Sequence, residues 1–213
     1  MQATTWIDRI TDESTLWLNA VRSEDQRDFV QAASLYLRDA SVSLGHGSLV
    51  RGAQSCACAA DCLNEAGLST YAKLLYRESA KIYLERADEI GRTSVREMLW
   101  SLRQSNQYFW MAEDREMTKE TYTRMLAVSR RIDPFSVDAP SLMPQGTGPI
   151  RRRNEADKAA LRGTEITAEV ERFLRSRETG QYEVGGSVPS RASTAPKAGR
   201  AQTNEKSIIN QLG

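Results

Sequence analysis

No proline occurs before Pro134, although the chain has 213 residues and holds six prolines. Proline lacks a backbone donor and clashes with the preceding helical turn, so a long stretch without it suits a continuous helical array. Histidine is nearly missing as well, His46 being the sole one. The cysteines number three, and all lie between Cys56 and Cys62. An odd cluster of this kind fits a reducing compartment better than a disulfide framework. No run approaches the roughly 18 consecutive apolar residues of a membrane span. The first ten residues have neither a basic region nor an apolar core, so a secretory signal is not expected. Together these absences imply a cytoplasmic protein. Neither sign of charge is in surplus: the net charge is +1, slightly acidic up to Asp133 and slightly basic beyond it. Neither value suggests a surface that binds nucleic acid by neutralising many phosphates. The apolar share, 40%, is low, and part of the chain is expected not to fold.

What the chain does contain is one pattern written twice: Ala32-x-x-x-Tyr36-x-x-x-Ala40 and Ala72-x-x-x-Tyr76-x-x-x-Ala80. Positions i, i+4 and i+8 lie on one helical face, where two alanines admit a neighbouring helix and the tyrosine fills the space between. A period of forty residues is that of stacked helical hairpins. The alanines are useful only against another helix, so the stripe reads as packing, with the tyrosine hydroxyls needing a partner at its edge.

In chain order, Thr4 to about Val21 reads as a capping helix with Thr5 at its N-cap. Its acidic polar face, with Asp8, Asp12 and Glu13 against Arg9 alone, argues against a helix lying on a membrane. Helices follow over Asp25–Leu44, Ser48–Ala66, Ser69–Ile90, Thr93–Ala112 and Asp114–Arg131, separated by Gly45-His46-Gly47, Gly67 and Gly91 and stopped before Pro134. The helix over Thr93–Ala112 has an inner stripe of Val95, Met98, Leu102, Ser105 and Phe109. It also carries Trp100, Tyr108 and Trp110 elsewhere on its circumference, so it is either sandwiched or exposes a binding surface. Residues 134–153 read as a Pro/Gly linker with an Arg151-Arg152-Arg153 run, and 154–179 as a charged amphipathic helix. Its short stripe, Ile166, Val170, Phe173 and Leu174, cannot hold a helix alone and has to dock on the array or on something else. Residues 180–213 read as a disordered tail that ends in a small apolar motif, Ile208, Ile209 and Leu212.

The words around the repeat resemble a known family. Asp28-Phe29-Val30-Gln31-Ala32-Ala33-Ser34-Leu35-Tyr36 resembles the first helix of a tetratricopeptide hairpin. Ala59-Ala60-Asp61-Cys62-Leu63-Asn64-Glu65-Ala66-Gly67 resembles its second helix and turn, and Tyr71-Ala72-Lys73-Leu74-Leu75-Tyr76 the opening of the next hairpin. Tyr122 to Pro134 looks like the last helix of such an array. The period exceeds the usual ~34 residues and is similar to that of the long hairpins of soluble NSF attachment proteins. The resemblance spans about Asp25 to Pro134. It implies an α-solenoid of about five antiparallel helices, completed by cap helices or by self-association.

No catalytic constellation stands out. On a helix Cys58 and Cys62 share a face while Cys56 points away, so three thiolates cannot meet one metal. Gly45-x-Gly47 lacks the strand and lysine of a phosphate loop. The expectation is therefore an all-α, non-enzymatic adaptor or scaffold without cofactor or metal, binding a protein partner in the groove of its helical-repeat surface. Trp100, Arg103, Gln107, Tyr108 and Trp110 are the candidate contact residues, with Ile208, Ile209 and Leu212 in the tail. The alternative is a structural subunit of a larger assembly, with the segments beyond Pro134 wrapping a neighbour. Homo-oligomers and larger complexes both remain open.

Overall fold

The computed structural model describes residues 6–91, 93–132 and 159–182, with side chains from Thr15 onward and, in the last segment, from Gly163. All regular structure among the described residues is helical: α1 (Trp6–Asp25), α2 (Phe29–Gly45), α3 (Leu49–Glu65), α4 (Ser69–Ile90), α5 (Val95–Met111), α6 (Arg115–Ile132) and α7 (Ala159–Thr179). Each of the first six packs on the next, and α7 lies against α2 and α4. The expected array of about five helices is thus a series of six. The N-terminal helix runs on to Asp25 and contributes Leu16, Trp17, Ala20 and Val21 to the same core as its neighbours.

Successive helices run antiparallel, as the cross-helix bonds show. Asp61 of α3 meets Tyr76 of α4, Cys56 meets Leu75, and Ala53, earlier in α3, meets Ser79, later in α4. The forced reversals use one device repeatedly. At four of the five junctions the helix ends in a residue with positive φ: Arg27 (59°), Gly47 (76°), Gly67 (81°) and Glu113 (60°). The next amide donates to the carbonyl five residues back, Asp28 to Ser23, Ser48 to Ser43, Leu68 to Leu63 and Asp114 to Phe109. This left-handed cap satisfies carbonyls that the helix end would otherwise leave open. The turn recurs at residues 28, 48 and 68, and at 114, twenty residues after the N-cap Ser94 of α5, so the forty-residue period contains two units of twenty, each one helix and its turn. Side chains of Asp28, Ser94 and Asp114 cap the helices that follow, accepting from the amides of Gln31, Glu97 and Met117.

The exception is the junction from α4 to α5. α4 has 22 residues where α2, α3 and α5 have 17, and Gly91 has an ordinary helical φ of −59°. The extra length carries Ala87, which packs with Leu102, Met125 and Val128 in a second, smaller apolar cluster.

Both Ala-Tyr-Ala stripes are buried throughout. Tyr36 stands edge-on to Trp17 of α1 at 5.0 Å and donates to Glu24 Oε2 at 3.0 Å. Tyr76 stacks on Tyr108 of α5 at 6.2 Å and donates to Asp61 of α3. In each case the hydroxyl meets a carboxylate of the preceding helix, and burial pushes its pKa well up, reinforced by that carboxylate. Small residues let the backbones approach. Ser79 and Ser105 are buried, and their hydroxyls donate to the Ala53 and Ala80 carbonyls of the preceding helix, each at 2.8 Å. At Gly52 an added Cβ would fall 2.4 Å from Leu44 Cγ, so only glycine allows α3 this close to α2.

One charge lies fully inside. Asp39 of α2 receives Arg51 Nε at 2.9 Å and Nη2 at 3.2 Å, together with the Ser55 hydroxyl. The Arg51 guanidinium also sits 4.2 Å from the Trp17 ring centroid, so a single side chain of α3 engages α1 and α2 at once.

Candidate interaction surfaces

Two surfaces follow from this architecture. The first is the outer strip of α5. Trp100, Arg103 and Gln107 follow an i, i+3, i+7 spacing and share one face; all three are exposed, Trp100 to 44%. Trp100 is the surface end of an aromatic row. It stands edge-on to Tyr83 at 5.6 Å, Tyr83 stacks on Tyr108 at 5.8 Å, and Tyr108 stacks on Tyr76. The structure therefore separates the candidate residues by exposure. Tyr108 is half-buried between two tyrosines of α4, whereas Trp100, Arg103 and Gln107 face outward. Trp110 is half-buried. Ile208, Ile209 and Leu212 lie outside the described residues, as do the linker 134–153 and the tail beyond Tyr182.

The second surface is the seat of α7. Ile166, Val170 and Phe173 lie at i, i+4 and i+7, are buried, and join the core formed by α1–α4. The docking that the short stripe required is thus onto the chain's own α2 and α4. Polar groups flank the apolar contact. At the middle of α7, Glu169 faces α2: burial raises its carboxyl pKa, while a hydrogen bond to Ser34 and the charges of Arg38 and Arg172 oppose that rise. Toward its end, Arg177 faces α4. Its Nε donates to Glu78 Oε1 at 2.8 Å, Nη2 to Glu85 Oε1 at 2.6 Å and Nη1 to the Tyr182 hydroxyl at 2.6 Å. The Arg177 and Glu78 side chains are only 10% and 8% exposed, so the pair is far better shielded than a surface ion pair.

Neither Arg177 nor Glu78 was legible as a contact from spacing alone. A signal existed in α4, since Glu78 falls between Leu75 and Ile82 on the buried stripe. A carboxylate at such a position requires a cation. Asp39 gives the same signal beside Tyr36 in α2.

The cysteines are placed for packing. Cys56 is buried and donates to the Leu75 carbonyl at 3.3 Å. Burial pushes the Cys58 thiol up to about 12, with Asp61 and Glu24 adding to the effect, and raises Cys56 and Cys62 too. Such thiols stay protonated and weakly nucleophilic at neutral pH. Among the described residues no three His, Cys, Asp or Glu side chains converge as metal ligands, and no helix is long and apolar enough to cross a membrane. An open cleft of about 300 Å³ lies between α2 and α7, lined by Asp28, Val30, Gln31, Ser34, Glu165, Ile166 and Glu169. It is mostly polar, unlike the apolar sites that enclose small ligands. No protein-family model matches the chain, and neither a curated protein nor a solved structure matches it.

Proposed function

We propose that the chain is a non-enzymatic interaction module that holds a helical segment of another protein on its helical-repeat surface. The observation that carries this reading is α7 itself: the face made by α2 and α4 already accepts an amphipathic helix, burying its apolar stripe and meeting the charges of Glu169 and Arg177. The tetratricopeptide-like wording of α2–α4 supports the same reading, because arrays of that kind present continuous faces of stacked helices. The outer strip of α5 provides a second contact area, with Trp100 as its anchor and Arg103 and Gln107 beside it. Tryptophan and arginine are the residues that most often dominate binding energy at interfaces. The protonated thiols support a binding role over thiol chemistry.

Capture of partners on the full-length chain, followed by cross-linking, tests this directly. The triple variant Trp100→Ala, Arg103→Ala, Gln107→Ala is expected to reduce capture at least about tenfold, since each anchor truncation removes on the order of 1–2 kcal/mol. Unchanged capture with an unchanged circular-dichroism spectrum would remove α5 from the interface. Recovery of the chain only in an assembly of fixed stoichiometry would favour a constitutive structural subunit instead.

A further inference from the structure

The seat of α7 has a direction built into it. α2 and α4 are copies forty residues apart, and position 38 of the first corresponds to position 78 of the second. Those equivalent positions carry opposite charges, Arg38 and Glu78. α7 matches both, presenting Glu169 toward Arg38 and Arg177 to Glu78. Between them lie Val170 and Phe173, with Ile166 one turn before. A helix laid in reverse would bring carboxylate against carboxylate and guanidinium against guanidinium, a penalty that falls mainly at the shielded Glu78 end, since Arg38 is exposed.

From this we propose that the seat between α2 and α4 receives an amphipathic helix of a partner protein with the same arrangement of groups, an apolar i, i+4, i+7 stripe with a carboxylate at i+3 and an arginine at i+11, and that α7 is its tethered competitor. The proposal rests on the reading of the chain as an interaction module and adds the partner's chemistry and its control. Residues 133–158 tether α7 to α6. Because α7 belongs to the same chain as its seat, a free helix competes with an intramolecular contact, whose effective concentration is on the order of millimolar. A free helix therefore meets an occupied seat unless it binds much better than α7 or the contacts of Arg177 are broken. Arg177 is the point of control because one guanidinium engages Glu78, Glu85 and Tyr182 together.

The test uses the full-length chain and a fluorescent peptide of residues 159–182. By anisotropy the peptide should bind the wild-type chain weakly and the Arg177→Glu chain at least tenfold more tightly, with faster amide exchange in α7 of that variant. Adding Glu78→Arg to Arg177→Glu restores the tethered pair in reversed sense and removes the peptide's partner, so peptide binding should fall again. A peptide carrying Glu169→Arg and Arg177→Glu should not bind the Arg177→Glu chain. Equal peptide affinity for the wild-type and Arg177→Glu chains, or equal amide exchange in α7, would overturn the competitor role. Equal binding of the two peptides would overturn the charge order, and dimerisation of the chain with exclusion of the peptide would assign the seat to a second copy and overturn the partner assignment. These outcomes are independent of capture through α5, so failure here is separable from failure of the interaction-module reading.

Discussion

The α1–α4 part of the array and its α5–α6 part are held by different means. From α1 to α4 a single apolar cluster runs through the array and takes in α7, and a buried carboxylate is met by an arginine that also engages α1. At α5 and α6 the second cluster is small, Ala87, Leu102, Met125 and Val128 with a few half-buried neighbours, and Ile90 and Phe109 are buried besides. Ion pairs also join α4 to α6 and to the turn before it: Arg77 to Asp114 at 2.9 Å, Lys73 to Glu113 at 2.5 Å, and Arg124 to Asp88. Exposed pairs of this type contribute about 0–1 kcal/mol each. The difference follows from position. An inner helix has neighbours on two sides and gains from apolar stripes on both, whereas α6 has α5 on one side and keeps charged residues outward, as a terminal unit of a stack does. Local opening is expected to start at α6.

The largest effects should come from emptying each core in turn. Leu63→Ala is expected to lower global stability by about 3–5 kcal/mol in urea denaturation. Met125→Ala should cost about 2–4 kcal/mol and speed amide exchange in α5 and α6 while α2 and α3 stay protected. If exchange rises uniformly after Met125→Ala, the two regions form one cooperative unit and the contrast fails. Charges sharpen the comparison at the next level. Asp39→Ala should destabilise by about 2–3 kcal/mol, because it strips a partly buried guanidinium and a buried hydroxyl of their acceptor. Asp88→Ala, at an exposed pair, should change stability by less than about 1 kcal/mol. Equal losses in thermal denaturation would show that burial does not separate these pairs. The smallest effects concern the shared turn, where the sign itself is the test. Nothing lies near an added Cβ at Gly67, so Gly67→Ala carries only the strain of a left-handed φ, about 1 kcal/mol of destabilisation. Arg27 holds the same conformation with a side chain, and Arg27→Gly should be neutral or stabilise by up to about 1 kcal/mol. A Tm that falls for both would mean that the turns are not equivalent.

The helices were readable because glycine and proline punctuate them and their apolar stripes keep one period. The Ala-Tyr-Ala stripes announced their burial, since two alanines flanking a tyrosine have no purpose on a free surface. The twenty-residue unit was harder to see. Two of its four turns use Arg27 and Glu113 in place of glycine, and the six residues by which 94 departs from the spacing interrupt the count. The array face on which α7 sits lay beyond sequence reasoning, because Arg177 and Glu78 are 99 residues apart and nothing local to either names the other. Composition likewise placed four aromatics on α5 without saying which were inward. Only the stacking of Tyr108 between Tyr76 and Tyr83 separates it from Trp100.

The order of the chain gives the seat of α7 a history. Every residue that forms the floor of that seat is made before Ile132, and the helix that covers it is complete only at Tyr182. At about 5–20 residues per second, residues 133–182 take roughly 3–10 s to synthesise. During that interval the floor can be in place while its own cover is not, and a partner helix encountered then meets no rival. The same two components would have to be prised apart later. Assembly during synthesis and assembly afterwards therefore face different barriers at one surface.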